Sequence, residues 1–205
     1  MKRKYKVTLI VIVVLVIIII ATVSFVLLNK KPDAKPVKVV DSIDNFSYTL
    51  DDRDSELMKT TYDELKETLS SKEIDYENYA KLIAELFVID LFTMDNKVNR
   101  YDVGSTEYIY PDSVENFKTN VEDTIYKTME NNSDGKRKQN LPEVSKIDST
   151  EVETSTFTIG EDTLDSYVVN ISWSYKKDLG YDKQAKITLI ELDEKLYIVE
   201  YVTGE

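Results

Sequence analysis

Residues 7–28 read VTLIVIVVLVIIIIATVSFVLL, 22 positions without a charge and with only Thr8, Thr22 and Ser24 polar. As a helix rising 1.5 Å per residue, the run reaches about 33 Å, enough to cross a hydrocarbon layer of roughly 30 Å. Its Val and Ile content would suit a strand in water. Length argues otherwise, since buried strands stop at about eight residues and lipid leaves an unpaired backbone unsatisfied. The run is expected to be a transmembrane helix. Residues 29–205 are then expected on one side of it and residues 1–6 on the other.

Charge sets the sides. Lys2, Arg3, Lys4 and Lys6 precede the run with no acid among them, whereas Lys30, Lys31, Lys35 and Lys38 follow it. The leading cluster is denser, and long acidic domains translocate largely regardless of loop charge, so the N-terminus is expected in the cytoplasm. A cleaved signal peptide fits less well. The apolar stretch exceeds the usual 7–15 residues, and Ala21-Thr22-Val23 is a poor small-x-small cleavage site. The reading is a single-pass protein of the cell membrane: residues 1–6 a cytoplasmic tail, 7–28 the span, 29–45 an extracytoplasmic linker holding Pro32 and Pro36, and 46–205 an extracytoplasmic domain.

Composition excludes several chemistries. Residues 29–205 carry 22 bases against 38 acids, a surface that repels nucleic acid and stays soluble. The chain has neither Cys nor His. Disulfides, thiolate chemistry, the commonest general base and the commonest zinc ligand are therefore absent. No cofactor or metal is expected: strings such as DSIDN and LDDRDSE lack the spacing and closing Glu of a calcium loop. The Lys- and Asn-rich, Gly-poor usage is of the kind that AT-rich bacterial genomes encode.

Within the domain, helices come first. Leu57, Met58, Tyr62, Leu65 and Leu69 recur at helical spacing, predicting a helix from about Asp54 to Ser70. A broader stripe (Tyr79, Leu82, Ile83, Leu86, Phe87, Leu91 and Met94) predicts the central helix of the core, capped by Ser71 or Asp75. The stretch DNKVNRYDVGSTEYIYPD reads as an irregular loop with room for a short strand at Glu107 to Tyr110. Asp112-Ser113-Val114-Glu115 resembles a capping box, opening a third helix that ends near Asn131-Asn132. Beyond Val144 the pattern alternates with period two. Tyr167, Val169, Ile171, Trp173 and Tyr175 are expected on one face, and Asp193-Glu194-Lys195 is expected to connect the last two strands. Helices followed by an antiparallel meander make an α+β domain of about three helices packed on a curved antiparallel sheet.

The tail ITLIELDEKLYIVEYV, with Leu196, Tyr197, Ile198 and Val199 alternating aliphatic and aromatic, resembles the closing hairpin of the nuclear transport factor 2-like superfamily, or cystatin-like roll. The resemblance covers roughly residues 54 to 203 in element order. With an uncleaved anchor in front, the layout is similar to inner-membrane assembly components of type IV secretion and conjugation machines, and to small membrane-anchored proteins of Gram-positive bacteria. What the resemblance implies is an extracytoplasmic scaffold that is not an enzyme, with other envelope proteins or further copies of itself as partners.

Two side chains stand out. Asp90 interrupts the core stripe, between Ile89 and Leu91. Its ordinary reading is a structural carboxylate that caps a loop or pairs with Lys97 or Arg100. The alternative is a desolvated general base in a small-molecule-binding or isomerase-like pocket. Trp173 is either core or the wall of such a pocket, and strand alternation favours core. The cluster Lys136-Arg137-Lys138 is a solvated loop or a docking point.

Overall fold

The computed structural model describes residues 15–25 and 38–204, in two separate units. In the first, residues 15–25 form helix α1, with Leu15, Ile17, Ile19 and Phe25 all exposed. No helix among the described residues is long and apolar enough to cross a membrane. The rest of the 7–28 run, residues 1–6 and residues 29–37 lie outside the described residues.

The second unit is α+β. A hairpin of β1 (Val39–Ile43) and β2 (Tyr48–Asp51) leads into α2 (Glu56–Ser70) and α3 (Tyr76–Phe92). After an irregular loop come α4 (Val114–Asp123) and four antiparallel strands in sequential order: β3 (Val144–Ile159), β4 (Asp162–Tyr175), β5 (Gln184–Leu192) and β6 (Lys195–Thr203). Ser55 caps α2 by accepting from Met58 N at 3.1 Å, and Asp75 caps α3 by accepting from Asn78 N at 3.1 Å. Both satisfy amides that the first helical turn leaves free.

Helix α3 is the centre. Its predicted stripe is buried, and so are Ala80, Ala84, Val88 and Ile89 on its other sides. A helix apolar all round must be covered all round, and α2 lies on one flank of α3 while β3 and β4 lie on another. The sheet turns Val169, Ile171 and Trp173 of β4, Ile187 and Leu189 of β5, and Leu196 and Ile198 of β6 into the same core. Register shifts at Val144/Lys146 and Ile147/Ser149 of β3, and at Thr188/Leu189 opposite β6, mark bulges. Bulges add local bend and twist. A buried latch joins the two ends of the domain. The Tyr48 and Tyr79 hydroxyls lie 2.7 Å apart, Tyr48 donates to Leu196 O at 3.1 Å, and Leu196 N donates to Tyr79 at 3.2 Å.

Four expectations change. Val39–Ile43 falls inside the segment 29–45 read as a linker, yet it is a strand paired with β2. Phe46 N donates to Ile43 O at 2.9 Å and Ser47 takes a φ of 55°, so Asp44 to Ser47 turn the chain back. The capping box at Ser113 does not form. Pro111 opens a 3₁₀ turn, Ser113 N donates to Tyr110 O at 2.8 Å, and Ser113 is already in the helical region, without the extended geometry a cap needs. Helix α4 stops at Asp123 because Tyr126 turns inward and donates to Leu91 O at 2.7 Å. Glu107 to Tyr110 is not a strand: Thr106–Tyr108 is a 3₁₀ turn, followed by a single parallel bridge between Ile109 and Ile198.

Candidate functional site

Asp90 sits on the last turn of α3, where the sheet-covered part of the helix gives way to the loop that leaves it. Its side chain is 14% exposed and forms an ion pair with Lys97, whose own side chain is 4% exposed. Ser105 completes the carboxylate's partners: its amide donates to Oδ2, and its hydroxyl lies 3.1 Å from the same oxygen and 2.9 Å from Phe87 O. Ser105 takes a left-handed conformation, φ 64°, to present both groups. Gly104 must be glycine for a steric reason, because a Cβ there would fall 2.6 Å from Asp90 Oδ1 and closer still to Oδ2. Burial alone would lower the Lys97 ammonium. Asp90 against it, with Asp102 and Asp54 nearby, holds it above the ordinary lysine range.

Two more clamps hold the same loop. Arg53, just after β2, grips Asp102 through Nη1 at 2.6 Å and Nη2 at 3.3 Å, the two-pronged geometry in which guanidinium pairs are strongest. Asp102 also accepts from Val98 N at 2.8 Å. Burial would raise its carboxyl, but the Arg53 contact wins and keeps it low. Arg137 has a side chain only 3% exposed and donates to Lys97 O at 2.9 Å and Asp95 O at 2.6 Å. The middle of the basic cluster at 136–138 is thus neither solvated nor free for docking.

Beside Asp90 opens a cleft of about 200 Å³, lined among others by Asp51, Asp54, Lys97, Asp102 and Glu107. Glu107 accepts from Thr49 N at 3.1 Å and Thr49 Oγ1 at 2.8 Å, and burial pushes its carboxyl up against those bonds. Asp54 accepts from Asp51 N at 2.7 Å. Burial, reinforced by the Asp51 and Asp90 charges, pushes Asp54 up to about 6. Trp173 lies elsewhere. It packs inside the sheet against Phe92, ring centres 4.9 Å apart, and does not line the cleft.

A general base needs a lone pair free to reach a substrate proton. Asp90 has Lys97 on one oxygen and Ser105 on the other. The arrangement fixes a loop, and ion-pair networks of this kind shift titrations without catalysis. Among the described residues, no group of His, Cys, Asp and Glu is placed to hold a metal ion. No family model, no curated protein and no solved structure matches the chain.

Sequence reasoning singled out Asp90 and named Lys97 or Arg100 as its partner; Lys97 is the one it meets, whereas Arg100 donates to the Tyr101 hydroxyl. That reasoning missed Arg53 and Asp102 and read Arg137 only as part of a basic cluster; their pairings span 40 to 49 positions. The only local signal was an Arg set among carboxylates in LDDRDSE.

Proposed function

We propose that the chain is a single-pass membrane protein whose acidic C-terminal domain, a roll of the nuclear transport factor 2-like type, serves outside the cytoplasm as a scaffold for other envelope proteins. The observation that carries the non-catalytic part of this reading is the commitment of Asp90 to Lys97 and Ser105. A carboxylate so held, with a buried ammonium on one oxygen and the Ser105 amide on the other, positions a loop. The anchoring part draws on the uncharged run 7–28 and on the exposed apolar side chains of α1, which stand in a unit apart from the folded domain.

Cells stripped of wall and treated with external protease test the topology. The domain 46–205 should be digested while a cytoplasmic marker survives. Protection of the domain, or its recovery in the fraction that alkaline carbonate releases from membranes, overturns the proposal. The small-molecule reading keeps one support, the cleft beside Asp54 and Glu107. It predicts a soluble ligand that binds wild type and is lost on Asp54→Asn.

A further inference from the structure

Strand edges carry unpaired amides and carbonyls, and folded proteins blunt them with bulges, charges or a covering segment. The two sheets described here have four edges, and three are blunted. β1 carries a register shift between Val39 and Asp41. The free side of β2 meets Glu107, which accepts from the Thr49 amide. β6 is bulged, and Tyr110 N reaches its Ile198 carbonyl at 2.9 Å.

The fourth edge, β3, is guarded along only half its length. Its first part, Val144 to Glu153, has two register shifts and the charges Lys146, Asp148, Glu151 and Glu153. Its second part, Thr154 to Ile159, has no shift, no charge, no Pro and no Gly. β4 pairs with β5 only from Ser166 onward, so Thr156–Ile159 and Asp162–Asp165 run on as a ribbon of two strands. Isolated two-stranded ribbons are marginal in water and gain from a third strand.

Which groups face outward follows from the turn. Gly160 at φ 63° and Glu161 form a two-residue connection between Ile159 and Asp162. The pair that closes such a hairpin is hydrogen-bonded, and bonded and non-bonded pairs then alternate along the ladder. Thr154, Thr156 and Thr158 therefore direct their amides and carbonyls away from β4.

From this edge we infer that two copies of the chain associate by antiparallel pairing of their Thr154–Ile159 segments, continuing the sheet from one molecule into the next. With Thr156 opposite its own copy, Thr154 meets Thr158, Ser155 meets Phe157 and Glu153 meets Ile159. No like charges oppose. The next step sets Val152 against Gly160, and the one after it would set Glu151 against Glu161, which ends the pairing. A second copy is the fitting occupant because two strongly acidic domains can approach only through a neutral strip, and the strip is self-complementary about Thr156. Such a contact falls below the roughly 1,000 Å² of a stable interface. Confinement to one membrane raises the effective concentration and makes a weak contact sufficient. For that strength the inference rests on the anchored reading.

The chain has no cysteine, so single cysteines report cleanly. In the full chain in its own membranes, the Thr156→Cys pair would sit at a Cα separation of about 5.5 Å, within disulfide reach, whereas Thr158→Cys faces Thr154 of the other copy and is out of reach of its counterpart. Mild oxidation should give at least about tenfold more dimer from T156C than from T158C, the difference between an ordered pair and random collision. Equal linking at both positions, no linking at T156C, or capture of a foreign protein in place of a second copy overturns the proposal. A chain carrying both T154C and T158C should link as well. Adding Thr156→Pro removes one outward amide and spares the β3–β4 ladder, so linking should vanish while the circular dichroism spectrum is unchanged. Linking that survives the proline overturns the register. Membrane fractionation of the same samples scores the anchor separately: a chain absent from membranes defeats the anchored reading, whatever the crosslinks show.

Discussion

The loop from Met94 to Glu107 and the ribbon from Thr154 to Asp165 both leave the packed core, and they are held in opposite ways. The loop has almost no regular backbone, yet three charged clamps fix it: Lys97 to Asp90, Arg53 to Asp102 and Arg137 to the carbonyls of Asp95 and Lys97. The ribbon is held by its own strand ladder, unbroken by a register shift from Thr154 to Asp165. Regular backbone and firm attachment are separate properties. An irregular segment can be the more rigid one if buried charges fasten it, since removing either partner of a buried pair leaves an uncompensated charge.

The sharpest way to break this contrast is Lys97→Met. It deprives the buried Asp90 carboxylate of its counter-ion and should cost about 3–5 kcal/mol by denaturant titration. Asp90→Asn in the same chain should recover much of the loss, because a neutral amide still accepts from Ser105. A Lys97→Met domain as stable as wild type would mean that the loop does not depend on its charges.

A smaller effect comes from Asp54. Its carboxyl is held at about 6 when folded, above its ordinary value. Between about pH 4 and pH 6 the folded chain binds more protons there than the unfolded chain, so this contribution to stability falls as pH rises through that window. Asp54→Asn keeps the acceptor for Asp51 N and removes the charge. Thermal melts should find the variant more stable than wild type above about pH 6 and equal to it near about pH 4. A pH-independent difference would show that the cleft carries no net repulsion.

The least effect is expected in the ribbon. Phe157, half-buried opposite Leu164, should lose less than about 1 kcal/mol on Phe157→Ala in dilute protein, against about 3–5 kcal/mol for a core aromatic. A core-sized loss would mean that the ribbon is covered even in the monomer.

The elements legible in the sequence were those whose own period reports burial. The Tyr79-to-Met94 stripe gave the central helix, and alternation from Tyr167 to Tyr175 gave the face of β4 that enters the core. Less legible were elements decided from outside. Val39–Ile43 is too short to show a period and becomes a strand through β2. Helix α4 ends where Tyr126 finds a carbonyl on α3, an event no local pattern encodes. The site was legible at Asp90, a charge in an apolar stripe, whereas Arg53 and Asp102 look like ordinary surface residues until the fold sets them 2.6 Å apart.

The tyrosine latch sets an order of events. Tyr48 and Tyr79 both bind the backbone of Leu196, 148 and 117 positions further along the chain, so the first hairpin cannot reach its final place until the last strand has been made. Contacts of such long range are slow to close. A chain that stops before β6 lacks Leu196 and leaves the Tyr48 and Tyr79 hydroxyls without the backbone partner that ties the first hairpin and α3 to the last strand.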